Sequence, residues 1–383
     1  VTGENIQVAG AQIVAIGDNG GGKVLIGGDW GGGKPDKSLV SNPSAVLESF
    51  SVPTASTVGV DAATRIDASA TQSGNGGKVI LWANDHLSFA GTILATGGIQ
   101  FGNGGFVETS AKSVDISGSV KAPGGTWLLD PGDLIIGPTL AASTALSLNS
   151  GTNVTQETTA STPGTGNGDI FVTAPIVWNT SATLTLSAYR NIQINDASVT
   201  GTIKNTGAGN LVLRADNTGT GAGTIVMNPG TFPTRVDWTN STGTVTVFYN
   251  PTFYSSPTNF TSGNGRFDLA SPSQLTAYML VNDASHLGGI ATNLNGTYAL
   301  GRDINVSGGL QPIGTIAPAV GSFLGILDGQ NHTISNLSIF SPLSGVNTIG
   351  LFGSIGNTGV VRNLNFDHIN VSANSNFTGT SQF

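Results

Sequence analysis

Short apolar runs that follow paired glycines recur along the first third of the chain. The pattern opens at 21–26, where two glycines precede Lys, Val, Leu and Ile, and it returns at 76–81, 104–109 and 124–136. Two glycines can adopt positive φ and make a tight corner, and the branched residues that follow suit a strand with one buried face. A chain that turns and extends on a repeating plan predicts stacked coils, so the pattern indicates a solenoid.

The spacing of these runs predicts how many strands make one coil. The glycine pairs at 76, 104 and 124 start 28 and 20 residues apart, which brackets a turn of three short strands and their corners. Residues 29–53 break the pattern and are predicted to form a loop outside the coils. From 138 onward Thr, Ser and Asn replace the glycine pairs, but short apolar runs continue. At about 4.8 Å per coil, roughly seventeen coils would extend about 80 Å.

One segment has helical rather than strand periodicity. Between 283 and 294, Leu287, Ile290 and Leu294 fall on one face, and Asp283 is placed to cap the first turn. We therefore predict an all-β, parallel β-helix with loop excursions and one short helix. Its predicted sections are a glycine-paired β-helix at 1–137, a Thr/Ser/Asn-rich continuation at 138–270, a connector with the helix at 271–297, and further β-helix repeats at 298–383.

Composition narrows the function classes. Only 9% of the 383 residues are charged and 56 are glycine, so Thr, Ser, Asn and Gly must solvate the surface. The net charge is −8 and no Lys/Arg cluster occurs, which argues against a nucleic-acid partner. The absence of cysteine excludes disulfides and thiolate metal sites. No apolar run approaches the roughly 18 residues of a membrane-spanning helix, so no membrane span is expected.

The first 137 residues carry a family resemblance. The successive segments 23–29, 66–70, 74–83, 102–108 and 128–131 resemble the filamentous-haemagglutinin type of large exoprotein. Members of that family are bacterial adhesins exported by two-partner secretion through an outer-membrane pore. The resemblance implies a right-handed parallel β-helix that is secreted or held at the cell surface, with the pore as a partner and attachment or biofilm formation as its role.

A second resemblance covers about 275–373. The segments 298–304, 323–334, 349–355 and 360–366 resemble the GLUG-type repeats of bacterial surface proteins, with Gly350 to Gly353 as the repeat core. The resemblance implies that each segment is one β-helix coil on a surface protein. It does not specify a ligand.

The predicted binding residues are one tryptophan and three polar side chains. Trp30 lies in the 29–53 excursion and is expected to be exposed, whereas Trp82 and Trp127 lie inside apolar runs and are expected in the core. An exposed tryptophan could stack on a sugar ring. Asp328, His332 and Asp367 lie in consecutive GLUG-like coils and complete the predicted set.

A carbohydrate-active enzyme is the main alternative. Lyases and hydrolases with this fold need an acid–base pair that converges on one face. The only cluster that the sequence offers is Asp303, Asp328, His332, Asp367 and His368. Most of these residues stand at predicted corners and the chain has few charges to tune a pKa, so we expect no catalytic residue and no enzyme activity.

The sequence predicts no cofactor and no metal site. The stretch 28–35 lacks the Ser or Thr that a P-loop needs after its lysine, which argues against nucleotide binding. The four histidines are isolated from one another, which argues against zinc. The segment 166–170 is a single fragment of the nonapeptide calcium pattern, which leaves calcium binding open as an alternative.

Together these patterns predict a secreted bacterial cell-surface adhesin. An extended polar face would attach to a host surface, a glycan or a biofilm matrix. The alternative is a β-helix polysaccharide lyase or hydrolase, and a third reading is a matrix scaffold without a ligand.

Overall fold

The structure is a computed structural model, and it describes most of the chain. The described residues are 1–33, 52–159, 167–194, 203–227, 234–263, 266–315, 321–341, 348–373 and 380–381. Most of the predicted 29–53 excursion therefore lies outside them. The part that is described, Trp30–Gly33, forms a short 3-10 turn.

Short parallel strands make up the fold, as the sequence predicts. The strands are β1 (Asn5–Val8), β2 (Gln12–Val14), β3 (Lys23–Ile26), β4 (Ala55–Val60), β5 (Arg65–Asp67), β6 (Lys78–Phe89), β7 (Thr92–Leu94), β8 (Phe106–Ser110), β9 (Ser113–Ile116), β10 (Ser119–Lys121), β11 (Thr126–Leu129), β12 (Leu134–Ile136), β13 (Asn153–Glu157), β14 (Ile170–Val172), β15 (Ile176–Trp178), β16 (Leu184–Ser187), β17 (Ile192–Ile194), β18 (Ile203–Asn205), β19 (Leu211–Arg214), β20 (Ile225–Met227), β21 (Thr234–Trp238), β22 (Val245–Tyr249), β23 (Arg266–Leu269), β24 (Leu275–Val281), β25 (Thr297–Leu300), β26 (Ile304–Asn305), β27 (Ile326–Asp328), β28 (Thr333–Ser335), β29 (Ser338–Ser341), β30 (Thr348–Ile349), β31 (Val360–Arg362), β32 (Asn365–Asp367), β33 (Asn370–Ala373) and β34 (Thr380–Ser381).

The chain forms a parallel β-solenoid of about 9 turns, which confirms the predicted fold class. The expected seventeen coils were too many. Hydrogen bonds between successive turns join residues 27, 30 or 34 apart in the sequence, so a turn uses more residues than the shortest glycine spacing suggests. The chain divides into two compact units, which comprise Val1–Ala215, Ile225–Thr246 and Phe260–Leu275 in unit 1 and Asp216–Thr224, Val247–Asn259 and Thr276–Phe383 in unit 2.

Unit 1 stacks its strands in several parallel ladders. In the longest, Val24, Val79, Val107 and Trp127 lie in register and are buried, which confirms Trp127 as a core residue. The ladders run β3-β6-β8-β11-β13-β16-β19, β1-β4-β6-β9, β2-β5-β7-β10, β12-β14-β17-β20 and β15-β18-β21-β23.

The paired glycines of unit 1 allow backbones to approach closely, and positive φ is not their main use. A Cβ added to Gly77 would lie 1.9 Å from the carbonyl oxygen of Gly22, and one added to Gly105 would lie 1.9 Å from that of Gly77. Neither Gly77 nor Gly105 has a positive φ. The predicted positive φ is confirmed only at Gly124, which has φ 74°.

Unit 2 repeats the same architecture with shorter ladders. Its parallel ladders are β24-β25-β27-β31, β26-β28-β32, β29-β33 and β30-β34. Tyr298 pairs with Leu327, and Leu327 pairs with Val361 in the next turn. Tyr298 and Leu327 are fully buried, so the inward face of this ladder forms the core of the unit.

Two helices interrupt the strands, where the sequence predicted one. The predicted helix is α2 (Ala284–Gly289), which continues as a 3-10 turn, Ile290–Thr292, and whose first turn Asp283 caps by accepting the His286 N–H at 2.8 Å. The other is α1 (Pro138–Asn149), in a stretch predicted to continue as strands. Its buried residues include Ser143, Thr144 and Ser147, so it lacks the apolar stripe that identifies a packed helix. Among the described residues, no helix is both long and apolar enough to cross a membrane.

Candidate functional site

Trp30 is buried, so the expectation that it is exposed was wrong. Only 6% of its surface is accessible, and it packs with Ile80, Phe106 and Leu128 in one apolar cluster. Trp82 packs against the edge of this cluster. Val79, Leu81 and Ala83 fill the inner face of β6, so Trp82 lies on the outer face. The prediction that Trp82 is a core residue was therefore wrong.

Four ionisable residues lie beneath the Trp30 turn. Asp29 accepts the Trp30 N–H at 2.8 Å and contacts the Nζ atoms of Lys78 at 3.0 Å and Lys23 at 3.5 Å. The Gly31 N–H lies 3.3 Å from both carboxylate oxygens of Glu108. The four side chains therefore clamp the start of the excursion onto β3, β6 and β8.

The two carboxyl groups of this clamp differ in pKa. Burial of Glu108 raises its pKa to about 8, against the smaller opposing effects of hydrogen bonds from Ser110 and Gly31 and of the Lys78 charge. Burial also acts to raise the pKa of Asp29, but the Trp30 N–H and the two lysines outweigh it and hold that pKa below its usual value. Only 1% of Glu108 and 4% of Asp29 is exposed, so a substrate cannot reach either carboxyl group. The arrangement is suited to holding the excursion in place.

Sequence reasoning missed Glu108, although the register contains a signal for it. Glu108 pairs with Ile80 and Leu128, and Ile80 pairs with Leu25, so an acid stands among aliphatic residues at this end of an outward column. An acid at such a position indicates a partner that covers it. That partner is the Gly31 backbone.

In unit 2, Asp328 is a buried structural residue. It accepts hydrogen bonds from the Gln330 N–H at 3.0 Å, from Arg362 Nε at 2.8 Å and from Asn363 Nδ2 at 3.2 Å. Burial alone would raise the pKa of Asp328, but these three donors hold it below its usual value. Arg362 also donates to the Tyr278 hydroxyl at 2.8 Å. With 3% of its surface accessible, Asp328 offers no free oxygen to a ligand.

The two other predicted binding residues lie on the surface and form local pairs. His332 Nδ1 is 3.1 Å from Asp303, which also accepts the Thr333 N–H at 2.9 Å. Asp367 pairs with its neighbour His368 at 2.7 Å. Asp367 is aligned with the half-buried Ser335 and the exposed Asn305 in one polar row across three turns. The structure thus separates the predicted set into pairs, and a binding role for His332 and Asp367 stays a prediction.

The segment that suggested calcium uses its carboxylates internally. Asp169 binds Arg190 and accepts the Asn191 N–H at 2.8 Å, while Asp133 accepts the backbone N–H groups of Asn167 and Asp169. Gly166 lies outside the described residues. Within the described parts of the chain, no three His, Asp or Glu side chains are grouped as metal ligands.

A cleft of about 300 Å³ opens in unit 2 beside α2. Phe253 stands at this cleft with 67% of its surface exposed. Tyr254 forms the floor, because its hydroxyl donates to the Leu280 carbonyl at 2.6 Å and its ring meets His286 and Tyr298 edge to face. Polar atoms at the rim come from Thr252, Ser255, Ser285, His286 and Thr292. Phe253 and Tyr254 fall in the predicted Thr/Ser/Asn-rich continuation at 138–270, where two adjacent aromatic residues were a usable signal.

These features define a parallel β-solenoid protein with small surface clefts and structurally paired charges. In comparisons with known proteins, no family model matches the chain. The chain is similar to halomucin of Haloquadratum walsbyi, a large secreted archaeal glycoprotein. The two are 37% identical over a 92-residue alignment, and the match covers 21% of this chain and 1% of halomucin. The haemagglutinin-type and GLUG-type resemblances stay predictions.

Proposed function

We propose that this chain is part of a secreted surface adhesin and that the cleft in unit 2 binds a glycan. The parallel solenoid supports the proposal because each added coil adds surface without enlarging the core. The partial similarity to halomucin supports a location outside the cell. Export through an outer-membrane pore, in a bacterial cell-surface setting, is the route that the sequence resemblance favours.

The main support for the proposal is the exposed aromatic ring of Phe253, which lies beside polar side chains that line the same cleft. An aromatic face stacks on the C–H face of a sugar, and hydroxyl and imidazole groups at the rim bind its hydroxyl groups. The hydrogen bond from the Tyr254 hydroxyl to the Leu280 carbonyl fixes the Tyr254 ring, so the floor of the cleft is ordered before a ligand binds. A neutral sugar is favoured, because the described residues that line the cleft include no Asp, Glu, Lys or Arg.

The hydrogen bonds and ion pairs that the carboxylates already make favour a binding role over catalysis. A glycosidase or lyase needs two acid–base groups that reach the same substrate. Asp328 is bound by three donors and Glu108 is covered by the Gly31 backbone. Asp303 and Asp367 are exposed but each has a neighbouring histidine as its partner. We therefore propose that the chain is not an enzyme.

The test is a glycan array probed with the full chain and two matched variants. Phe253→Ala removes the stacking ring, and Phe101→Ala removes an equally exposed ring, 67% accessible, from unit 1. We expect the wild type and the Phe101 variant to bind the same glycans and the Phe253 variant to lose at least about tenfold in affinity, equivalent to 1.4 kcal/mol. Equal binding by all three proteins would exclude the cleft as the site.

The same protein samples distinguish binding from catalysis. Each polysaccharide that binds on the array is incubated with the protein in solution, and new reducing ends or unsaturated uronates are measured. Binding without product supports an adhesin, whereas product formation supports the lyase or hydrolase alternative. An array without any bound glycan would favour the scaffold reading.

A further inference from the structure

The strand β9 ends a sheet of unit 1 with one backbone edge open. It pairs with β6 in the ladder β1-β4-β6-β9, and no other described strand pairs with it. The Ser117 N–H donates to the Phe89 carbonyl at 2.9 Å, on the β6 side, whereas the Lys112 carbonyl accepts the Gly132 N–H on the opposite side. Backbone groups alternate in direction along a strand, so the N–H and C=O groups of Val114 and Ile116 point away from β6.

The next strand along the chain, β10, has its corresponding edge closed by α1 and by Thr152 just beyond it. The Val120 N–H donates to Ser147 Oγ at 3.1 Å and the Ala122 N–H to Thr152 Oγ1 at 2.8 Å. The Gly118 carbonyl accepts from Ser143 Oγ. These hydroxyl groups replace the backbone partners that a further strand would supply. Among the described residues, nothing comparable satisfies Val114 and Ile116.

A cleft of about 790 Å³ lies along this open edge. One wall is the stretch from Lys112 to Ser117, and the other is formed by 133–135 and 137–140. Ile135, on the second wall, is 66% exposed. The cleft thus combines unpaired backbone donors and acceptors with an apolar surface, which are the two elements that β-strand addition uses.

We propose that the open edge of β9 binds an extended polypeptide segment of a partner protein as an added strand. The charges around the cleft indicate the chemistry of that segment. Asp115 has 80% of its side chain exposed and lies 3.4 Å from His86 Nε2. Asp133 lies on the opposite wall, and among the described residues that line the cleft Lys112 is the one lysine or arginine. A strand with β-branched residues and a Lys or Arg opposite Asp115 fits this arrangement. A second copy of this chain fits it less well, because each copy carries a net charge of −8.

Hydrogen exchange on the full chain tests whether the edge is open. We expect the amides of Val114 and Ile116 to exchange at least about tenfold faster than those of Ser113 and Asp115, which face β6. Adding the probe peptide Thr-Val-Lys-Val-Thr-Val, capped at both ends, is expected to slow the first pair selectively. Protection of Val114 and Ile116 in the free monomeric protein would overturn the proposal.

Binding measurements with variants test the backbone mechanism. We expect a Kd on the order of 10–100 µM for the probe, and at least tenfold weaker binding for a peptide N-methylated at alternate residues. Val114→Pro removes an outward N–H at an edge position where proline is tolerated, and it is expected to abolish binding. Val114→Thr keeps the N–H and the strand preference, and it is expected to bind as the wild type does.

Three outcomes would overturn the proposal. Equal binding of the methylated and unmethylated peptides would show that the strand edge is not used. Equal binding of a peptide with Glu in place of Lys would contradict the assigned charge preference. A dimer in sedimentation equilibrium that Val114→Pro converts to a monomer would show that a second copy occupies the edge. Melting curves of both Val114 variants check that each one folds.

Discussion

The two units differ in the residues at which the chain turns between strands. In unit 1, every described residue with positive φ is a glycine, and a Cβ added to Gly77 or Gly105 would lie 1.9 Å from a backbone oxygen of the stacked glycine. In the described part of unit 2, six non-glycine residues take positive φ in addition to glycines. These are Asp216, Gln330, Asn331, Asn336, Asn363 and His368.

The difference changes what holds each corner together. A glycine corner is set by contact between backbones and leaves no side chain to adjust. An asparagine corner accepts the cost of positive φ and recovers part of it through side-chain hydrogen bonds. Asn363 at one such corner donates to Asp328, and Asn336 at another donates to Asn305 at 3.0 Å. Unit 1 should therefore be less tolerant of substitution at its corners than unit 2.

The largest expected effect is at a stacked glycine of unit 1. Gly105→Ala places a Cβ 1.9 Å from the Gly77 carbonyl oxygen and 2.6 Å from the Gly76 carbonyl carbon, and neither backbone atom can move without shifting a turn. We expect the free energy of unfolding to fall by more than about 3 kcal/mol. Urea denaturation followed by circular dichroism measures it.

The matched control is Gly308→Ala in unit 2. A Cβ at Gly308 would meet nothing within 4 Å, and its φ is not positive. The free energy of unfolding should then change by less than about 1 kcal/mol, because alanine mainly reduces the freedom of the unfolded chain. Equal losses for the two variants would contradict the close-approach explanation.

The next prediction concerns the buried acid of unit 1, Glu108, which makes the stability of the fold depend on pH. The pKa of Glu108 is about 8 in the folded state and 4.5 as the ordinary value. The folded state holds this proton more tightly, so its contribution to stability is complete below about pH 4.5 and is lost as pH rises towards 8. The loss is about 1.4 kcal/mol per pH unit within that window. Lys78 and Asp29 face the same carboxyl group, and the pKa of Asp29 lies below its usual value.

Glu108→Gln should remove this dependence. The neutral amide keeps an oxygen for the Gly31 N–H, so the variant should be more stable than the wild type at pH 8 and show a flatter profile between pH 5 and 8. Melting temperature measured across that range tests the prediction. Glu4→Gln, at an exposed glutamate, should keep the wild-type slope. A wild-type protein whose stability rises from pH 5 to 8 would contradict the assignment.

The buried acid of unit 2 should respond in the opposite direction. The pKa of Asp328 is lowered, so its contribution is present above about pH 4 and is lost as pH falls through the folded-state value. Asp328→Asn weakens the bonds from Arg362 and Gln330, and we expect a loss of about 1–3 kcal/mol at pH 7. Asp367→Asn, at an exposed pair, should cost less than about 0.5 kcal/mol. Chemical denaturation at pH 7 and pH 3 would show whether the loss disappears in acid.

Local patterns in the sequence were sufficient to predict the solenoid. The runs at Lys23–Ile26, Lys78–Phe89 and Thr126–Leu129 are strands, and Asp283 caps the predicted helix. These features depend on residues close together in the chain. Trp127 was placed correctly for the same reason, because its neighbours Leu128 and Leu129 already indicate a buried strand.

Features that depend on distant residues were missed. Whether Trp30 is exposed depends on Ile80 and Leu128, and the covering of Glu108 depends on Gly31, 77 residues away. The helix α1 was missed because its buried Ser143 and Ser147 bond to strand edges and so conceal the apolar stripe. Pro138 at its start and Gly151 after its end, with φ 86°, were the available signals.

The smallest expected effect separates conformation from hydrogen bonding at an asparagine corner. Asn336 has φ 54° and donates through Nδ2 to Asn305. Asn336→Ala keeps the unfavourable φ and removes the side-chain donor, so we expect a loss of about 1–2 kcal/mol. Asn336→Gly removes the same donor but relieves the φ, so its stability should lie within about 0.5 kcal/mol of the wild type because the exposed hydrogen bond contributes little. Thermal denaturation of the two variants distinguishes the two causes. Equal losses of stability would show that the side-chain hydrogen bond stabilises the corner. A loss confined to Asn336→Ala would show that the backbone determines the stability of the corner, as in unit 1.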